Sequence, residues 1–241
     1  MRPSPLKMAV TALLLLLALA ILLSLGTWQV QRLFWKEALI ADIAARGKAP
    51  PATVSAIEAM QRAGEDVDYR TLSASGTFLH DKERHFFATF QGRTGFYVYT
   101  PLALADGRFL FVNRGFVPYD NKAPETRPAG QVPGEVTVTG LSRARLDQKP
   151  SVMVPENDLA KNLFYWKDLD AMARTTELPA DRVLPFFLDA DATPIPGGMP
   201  EGGVTQIVMP NSHLEYAVTW YGLALALVVV SGIAFFRRRA S

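Results

Sequence analysis

The sequence predicts a membrane-anchored α+β protein, in which two transmembrane helices flank one soluble, antiparallel β-rich domain with short helices. Two observations lead to this fold class. An apolar segment of about 18–20 residues, the length that crosses the hydrocarbon core of a bilayer, lies near each end of the 241-residue chain. The roughly 180 residues between the segments contain several short runs with period-two alternation, which is typical of strands. Such a segment suits one domain, and we expect a small barrel or sandwich.

The first apolar segment runs from Met8 to Leu25 and is predicted to be an uncleaved anchor. A signal peptide has an apolar core of about 7–15 residues that ends at a cleavage site. Here residues 17–20 (LALA) are followed by further apolar residues. Helical spacing continues to about residue 45, where Gly47 and two prolines end it. We therefore expect a tail at residues 1–7 and a transmembrane helix at residues 8–28 that continues as a helix to about 45.

The second apolar segment begins near Ala217, within residues 213–220 (HLEYAVTW), and ends at Phe236. Basic residues flank both segments on their outer sides, and the positive-inside rule then predicts that both tails are cytoplasmic. These basic residues are Arg2, Lys7, Arg237, Arg238 and Arg239. We expect a bacterial inner-membrane protein with a periplasmic β-rich domain at 46–210, an interfacial start and transmembrane helix at 211–236, and a cytoplasmic basic tail at 237–241.

The central segment contains six predicted strands and two short predicted helices. The strands are expected at residues 69–78, 84–90, 96–104, 109–118, 135–146 and 183–189, and the helices at 53–62 and 169–174. Thr53 and Asp168 are predicted to cap the two helices. Asp106-Gly107 predicts a hairpin, and Pro185 predicts that the last strand lies at a sheet edge.

Composition excludes several classes of function. The chain has no cysteine, which excludes disulfides, iron–sulfur clusters and cysteine-ligated zinc or copper. The net charge is only +2 and the basic residues are scattered, so no nucleic-acid partner is expected. The nucleophile-elbow, zincin, P-loop and dinucleotide-binding motifs do not occur, and we expect no enzymatic activity. His80 and His85 lie in a charged stretch that predicts an exposed hairpin turn.

His213 is the principal candidate for a binding residue. On a helix, His213, Tyr216, Ala217 and Trp220 share one face, about one turn outside the hydrocarbon core. An imidazole at this boundary can bind a metal or haem iron, or it can simply donate a hydrogen bond to a lipid headgroup. The residue pattern alone leaves both interpretations open.

Two further sets of residues have open interpretations. Trp28, Arg32 and Trp35 share a face of the first helix, either as an aromatic belt with a basic anchor or as a platform facing His213. Asn113-Arg114-Gly115 interrupts a strand and predicts a bulge that aims Arg114. That side chain either pairs with a carboxylate at the rim of the core or contacts a partner or a propionate.

Three separated segments together resemble a known family. They are residues 25–32 (LGTWQVQR) with Lys36, residues 112–118 (VNRGFVP) and residues 213–221 (HLEYAVTWY). In this order around two membrane spans they resemble the Surfeit-locus protein (Surf/Shy) family of cytochrome c oxidase assembly factors. The resemblance covers nearly the whole chain. It departs at Phe116, where the family often has tryptophan, and this places only a packing detail in doubt.

The resemblance implies a non-enzymatic role in maturing the haem–copper oxidase catalytic subunit, through delivery or insertion of haem A. Bacterial members are described as binding haem A with a histidine and a tryptophan that correspond to His213 and Trp220. We therefore expect transient haem A binding, with His213 as the iron ligand and Trp220 and Tyr216 as aromatic walls. Arg32 is expected to neutralise a propionate. The expected partners are the cytochrome c oxidase catalytic subunit, haem A synthase and membrane lipids.

The alternative is a cofactor-free membrane scaffold that stabilises an oxidase subunit intermediate through protein contacts. Its expected partner-binding residues are Trp28, Gln29, Arg32, Asn113, Arg114 and Gly115. In that case, substitution of Arg114 weakens co-purification with the oxidase subunit and leaves any haem spectrum unchanged.

Overall fold

The computed structural model describes residues 4–205, 207 and 209–240. Arg2 lies outside these residues, and so do the side chains of Arg238 and Arg239. The chain divides into two compact units. The first contains the C-terminal helix and the N-terminal helix as far as Asp42, and the second contains residues 43–207.

Within the described residues, four α-helices and six strands follow one another. The helices are α1 (Pro5–Lys48), α2 (Val54–Arg62), α3 (Leu169–Thr175) and α4 (His213–Ala240). The strands are β1 (Thr71–Phe78), β2 (Arg84–Phe90), β3 (Arg93–Leu104), β4 (Phe109–Pro118), β5 (Glu135–Ala144) and β6 (Val183–Ala190). The predicted terminal helices and β-rich centre are confirmed.

The two terminal helices are long and apolar enough to cross a membrane, by length and composition, over Leu6–Lys48 and His213–Arg237. At about 1.5 Å per residue, α4 is about 42 Å long, which exceeds the roughly 30 Å of a hydrocarbon core. Large apolar side chains cover their surfaces, including Leu13 and Leu225, each 66% exposed. Surfaces of this kind require an apolar environment or a partner.

Five strands of the second unit close into a barrel in the order β1-β5-β6-β4-β3, and β3 pairs again with β1. The closing pairs include Gly76 with Leu104 and Phe78 with Leu102. β2 lies outside this ring and pairs with the first half of β3. The barrel is therefore the correct choice between the two predicted architectures.

Two details of the predicted sheet are wrong. The sheet is not entirely antiparallel, because β4 and β6 pair in parallel. β6 also lies between β4 and β5, so Pro185 does not mark an edge strand. Pro185 is tolerated because it falls where the β4–β6 register shifts and before the β5–β6 pairing begins at Phe186. A missing N–H costs no ladder hydrogen bond at an irregularity of this kind.

The two central strands are buried on both faces. One face of β4 and β6 contributes Leu110, Val112 and Leu188 to the barrel core, where Ile57 of α2 also packs. The opposite face, with Phe111 and Phe187, is covered by α3. Strands that are covered on both sides read as nearly continuous apolar runs, as these two do.

The two predicted helix caps are confirmed. The Thr53 hydroxyl accepts a hydrogen bond from the Ala56 N–H at 3.2 Å, at the start of α2. The Asp168 carboxylate accepts one from the Ala171 N–H at 2.9 Å, at the start of α3. These side chains satisfy N–H groups that have no partner within the first helical turn.

The predicted bulge in β4 is also present. Tyr97 pairs with Phe116 and Tyr99 with Asn113, so that two residues of β4 lie opposite one residue of β3. Gly115 has a φ of 124°, and a Cβ atom there would lie 2.0 Å from the Glu201 carbonyl oxygen. The next residue, Phe116, exchanges two 2.8 Å backbone hydrogen bonds with Glu201. Only glycine fits this close approach of two backbones.

We predict that Gly115→Ala lowers the free energy of unfolding by at least about 3 kcal/mol, because backbone strain and the clash with Glu201 add. Chemical unfolding of the full chain in detergent measures this loss. Gly134→Ala is the matched control, because Gly134 has a φ of 78° and an open space around the added Cβ. The control should lose only about 1–2 kcal/mol. Equal losses in the two variants would contradict the proposed role of the close backbone approach.

Candidate functional site

Within the first unit, α1 and α4 form an antiparallel helical hairpin. Contacts join Gly26 and Thr27 to Tyr221, and Gln29 to His213, so the two sequences run in opposite directions. The sheltered positions of α4 recur at intervals of four and three residues, at 213, 217, 220 and 224. Ala217 and Ala224 are both buried. Small residues at such a seam allow two helices to approach closely.

His213 is the first residue of α4 and contacts α1 directly. Its Nδ1 lies 2.7 Å from Oε1 of Gln29, which is only 9% exposed. A carbonyl oxygen only accepts hydrogen bonds, so Nδ1 carries the proton and donates it. The lone pair of the neutral imidazole is then on Nε2, for which the described residues provide no hydrogen-bond partner. The candidate ligand atom is therefore Nε2.

The aromatic residues that were predicted beside His213 lie on the same helix with different exposure. Trp220 is half-buried at the seam, and Tyr216 is 54% exposed beside it. Tyr221, which follows Trp220, donates to or accepts from the Thr27 hydroxyl at 3.1 Å. The Tyr221 ring also packs against Gly26, where an added Cβ would lie 3.0 Å from it.

Trp28 precedes Gln29 on α1, and Arg32 and Trp35 follow it. The Arg32 guanidinium lies 4.1 Å from the centre of the Trp35 ring, a cation–π distance. Trp28 and Trp35 are about half exposed. The structure thus places Arg32 on an aromatic ring and shows no contact between Arg32 and His213.

The ligand set constrains what kind of metal His213 could bind. Among the described residues, no group of three or more His, Cys, Asp or Glu side chains could hold a metal ion. A bare ion needs several protein ligands, whereas a haem iron already has four macrocycle nitrogens and accepts a single imidazole. One imidazole with a directed Nε2 lone pair, beside exposed aromatic rings, fits haem better than a free ion.

Asn113, Arg114 and Gly115 belong to the second unit and are not at its surface. Asn113 is buried and Arg114 is 5% exposed. The Arg114 guanidinium donates to the Glu83 carboxylate at 3.3 Å and to the Gly130 carbonyl. The structure therefore supports the alternative in which Arg114 pairs with a carboxylate at the edge of the core.

Glu83 is the centre of a buried ionic cluster. The carboxylate accepts hydrogen bonds from both Arg114 and Arg127, and all three side chains are nearly inaccessible to solvent. Burial lowers the pKa of the Arg114 guanidinium to about 10, and Glu83 opposes this effect. The cluster joins β4, which carries Arg114, to the turn before β2, which carries Glu83, and to the loop after β4, which carries Arg127.

The predicted exposure of His80 and His85 is wrong. His85 is 4% exposed, and its Nδ1 accepts a hydrogen bond from the Asn162 amide at 3.1 Å. His80 is half-buried, with its Nε2 donating to the Val132 carbonyl at 2.9 Å and its Nδ1 facing Arg114. Burial, together with the nearby cations Lys122 and Arg127, lowers the pKa of His85 from 6.5 to about 3. Charged neighbours in sequence had suggested a solvated turn, but these charges pair inward.

The sequence did not predict the intramolecular contacts of Gln29, Glu83 and Arg127. Gln29 was expected to bind a partner, whereas it faces His213 across the hairpin. Glu83 and Arg127 were not singled out, since they are 44 residues apart and no local pattern connects them. A signal for the Gln29 contact was available, because Gly26 and Gln29 are three residues apart and therefore share one face of α1.

Comparison with known proteins gives a consistent picture. A sequence model described as the SURF1 family matches residues 16–225. The chain is 40% identical over 230 residues to Surfeit locus protein 1 of Rattus norvegicus, covering 89% of this chain and 72% of the relative. It is 39% identical over 220 residues to the Homo sapiens protein of that name, covering 84% and 70%. A SURF1-like protein of Drosophila melanogaster is 33% identical over 240 residues, covering 91% and 76%.

We predict that Glu83→Gln lowers the free energy of unfolding by about 3–5 kcal/mol, because it leaves two buried guanidinium groups without their carboxylate. Chemical unfolding of the full chain in detergent measures the change. Glu156→Gln is the control, because Glu156 pairs with Lys149 at the surface with its side chain 80% exposed. The control should change stability by less than about 1 kcal/mol. A loss of that small size for Glu83→Gln would contradict the structural role of the cluster.

A pH dependence follows from the burial of His85. The folded state excludes the His85 proton down to about pH 3, whereas the unfolded state binds it below its ordinary pKa of 6.5. Stability should therefore be fully present above pH 6.5 and fall as the pH decreases towards 3. Between pH 7 and 5.5 the expected loss from this one group is about 1.3 kcal/mol.

Unfolding measured at both pH values in the parent and in His85→Gln tests this expectation. The variant lacks the titrating group, so its stability should decrease less than that of the parent over the same interval. Parallel decreases in the two proteins would show that His85 binds its proton as readily in the folded state as in the unfolded state.

Proposed function

The chain belongs to the SURF1 family, and from this membership we propose that it is a non-enzymatic, membrane-bound assembly factor for haem–copper cytochrome c oxidase. In this proposal His213 holds haem A at the edge of the membrane while the haem is delivered to the oxidase catalytic subunit. Haem A is a transient cargo in this role and not a resident cofactor.

Membrane anchoring by α1 and α4 is supported by their length and by their exposed apolar surfaces. We propose that both helices span a bacterial inner membrane. Lys7 and Arg237 lie at the helix ends remote from His213, and the positive-inside rule then places both termini in the cytoplasm. The β-rich unit follows α1 and precedes α4, so it lies in the periplasm in this topology.

The observation that carries the haem proposal is the hydrogen bond between His213 Nδ1 and Gln29. It leaves Nε2 as the nitrogen that can bind iron, at the start of an apolar helix. His213 lies four residues, about 6 Å along the helix, before Ala217, where the apolar run of α4 begins. A macrocycle that is apolar over most of its area and carries anionic propionates favours such a boundary.

The surroundings of His213 also suit a cargo that must leave. The site offers one imidazole, and Tyr216 and Trp28 beside the hairpin are more than half exposed. A closed pocket with two histidines would retain haem more tightly. In our proposal Trp220 and Tyr216 contact the macrocycle, and Arg32 neutralises a propionate.

The proposed partners follow from the direction of transfer. Haem A synthase is the proposed source of the haem, the oxidase catalytic subunit is the recipient, and membrane lipids surround the two helices. A cofactor-free scaffold is the second candidate function, and one observation favours it. Trp28, Phe34 and Trp35 expose 51%, 64% and 50% of their surfaces on α1. These residues, with Arg32 and not with the buried Arg114, would form its partner surface.

We predict that His213→Ala lowers the haem A content per chain at least about tenfold, because the substitution removes the one axial ligand that the protein supplies. Parent and variant are purified from cells that make haem A, and haem is quantified from the visible absorption spectrum. Glu215→Gln is the matched control, since Glu215 is exposed in the same helical turn and should keep the parental haem content.

The outcomes separate the two candidate functions. Loss of haem in His213→Ala alone supports the carrier. Equal haem content in parent and His213→Ala would contradict His213 as the ligand. Absence of haem from every protein, with the oxidase catalytic subunit still co-purifying, would support the scaffold.

A further inference from the structure

We propose that Gln29 is a positioning residue for haem, because it fixes the proton of His213 on Nδ1 and thereby directs Nε2 towards the iron. This inference rests on the proposed function, since it concerns the same histidine. It assigns Gln29, which the sequence had suggested as a partner-binding residue, to the interior of the site.

The geometry of the pair supports a specific role. Gln29 Oε1 and His213 Nδ1 are 2.7 Å apart, at the short end for a hydrogen bond of this kind. Gln29 is 9% exposed, so water has little access to compete for its carbonyl oxygen. Gln31, two residues further along α1, is exposed, which shows that α1 turns only one of these two amides towards the seam.

The hairpin holds Gln29 at the correct level for this contact. The Thr27 and Tyr221 hydroxyls form a hydrogen bond at 3.1 Å. Tyr221 lies about one helical turn after Ala217 on α4. Gly26 provides the space for the Tyr221 ring, and a Cβ there would lie 3.0 Å from that ring. Ala217, which is buried, separates His213 from Tyr221 along the seam. These contacts fix the axial register of α1 against α4.

The hydrogen bond that this register allows affects how strongly the His213 imidazole can bind haem iron. An imidazole that donates its Nδ1 proton to an oxygen has a more basic Nε2, and its ring is held in one orientation. Without the acceptor, either nitrogen can carry the proton and the ring can turn. Loss of such a partner typically weakens metal binding about 10–100-fold.

A packing role for Gln29 makes the opposite predictions. Leucine is similar in size to glutamine and apolar, so Gln29→Leu should preserve packing but removes the acceptor. Glutamate keeps an acceptor oxygen and carries a charge, so Gln29→Glu strengthens the hydrogen bond but is unfavourable at an apolar seam. If positioning is what matters, glutamate retains haem and leucine loses it. If packing is what matters, the order is reversed.

The experiment compares the parent with Gln29→Leu, Gln29→Glu and the control Gln31→Leu, all as full chains in detergent. Haem A affinity is measured by titration, and the iron–histidine stretching frequency of the ferrous complex is measured by resonance Raman spectroscopy. We expect Gln29→Leu to bind haem about 10–100-fold more weakly, with a lower stretching frequency. Gln29→Glu should bind at least as tightly as the parent with a higher frequency, and Gln31→Leu should match the parent.

The frequency is decisive because a packing defect lowers occupancy but does not change the basicity of the ligand in the molecules that bind. A parental frequency and affinity in Gln29→Leu would overturn the role of Gln29 while leaving His213 as the ligand. Absence of haem from the parent would instead overturn the proposed function, and this inference with it.

Discussion

The hydrogen bond between Gln29 and His213 joins two helices from opposite ends of the chain, 184 residues apart in sequence. The candidate site depends on it, because the bond determines which imidazole nitrogen keeps a free lone pair. The bond in turn requires small residues at the seam, since Gly26 and Ala217 allow the helices to approach. Bulky substitutions there would alter the site without touching either partner of the bond.

The β-rich unit depends on a different constraint, the double-sided burial of β4. One face of this strand fills the barrel and the other packs under α3, while Arg114 at its bulge binds the buried carboxylate of Glu83. The segment Asn113-Arg114-Gly115 therefore reads as a structural motif. The glycine allows a second backbone to approach, and the arginine anchors the neighbouring turns.

Local signals in the sequence were sufficient for most elements, whereas long-range pairing was not. Alternation and turn residues gave each strand to within a few residues, and Thr53 and Asp168 marked two helix starts. The edge position predicted from Pro185 was wrong because a proline is tolerated there by a register shift between β4 and β6, which no local pattern encodes. The predicted exposure of His85 was wrong because the charged residues beside it pair with groups that are distant in sequence. His213 was identified from residue type and position, but its bond to Gln29 requires the packing of α1 against α4.

The most direct test of the haem proposal is electron nuclear double resonance of ferric haem A bound to the full chain labelled with ¹⁵N-histidine. We predict strong coupling of the iron to the nitrogen of a single histidine. This coupling should be lost when His213 is replaced and kept when His80 or His85 is replaced. Coupling that survives the replacement of His213, or a bound haem without any ¹⁵N coupling, would contradict His213 as the iron ligand.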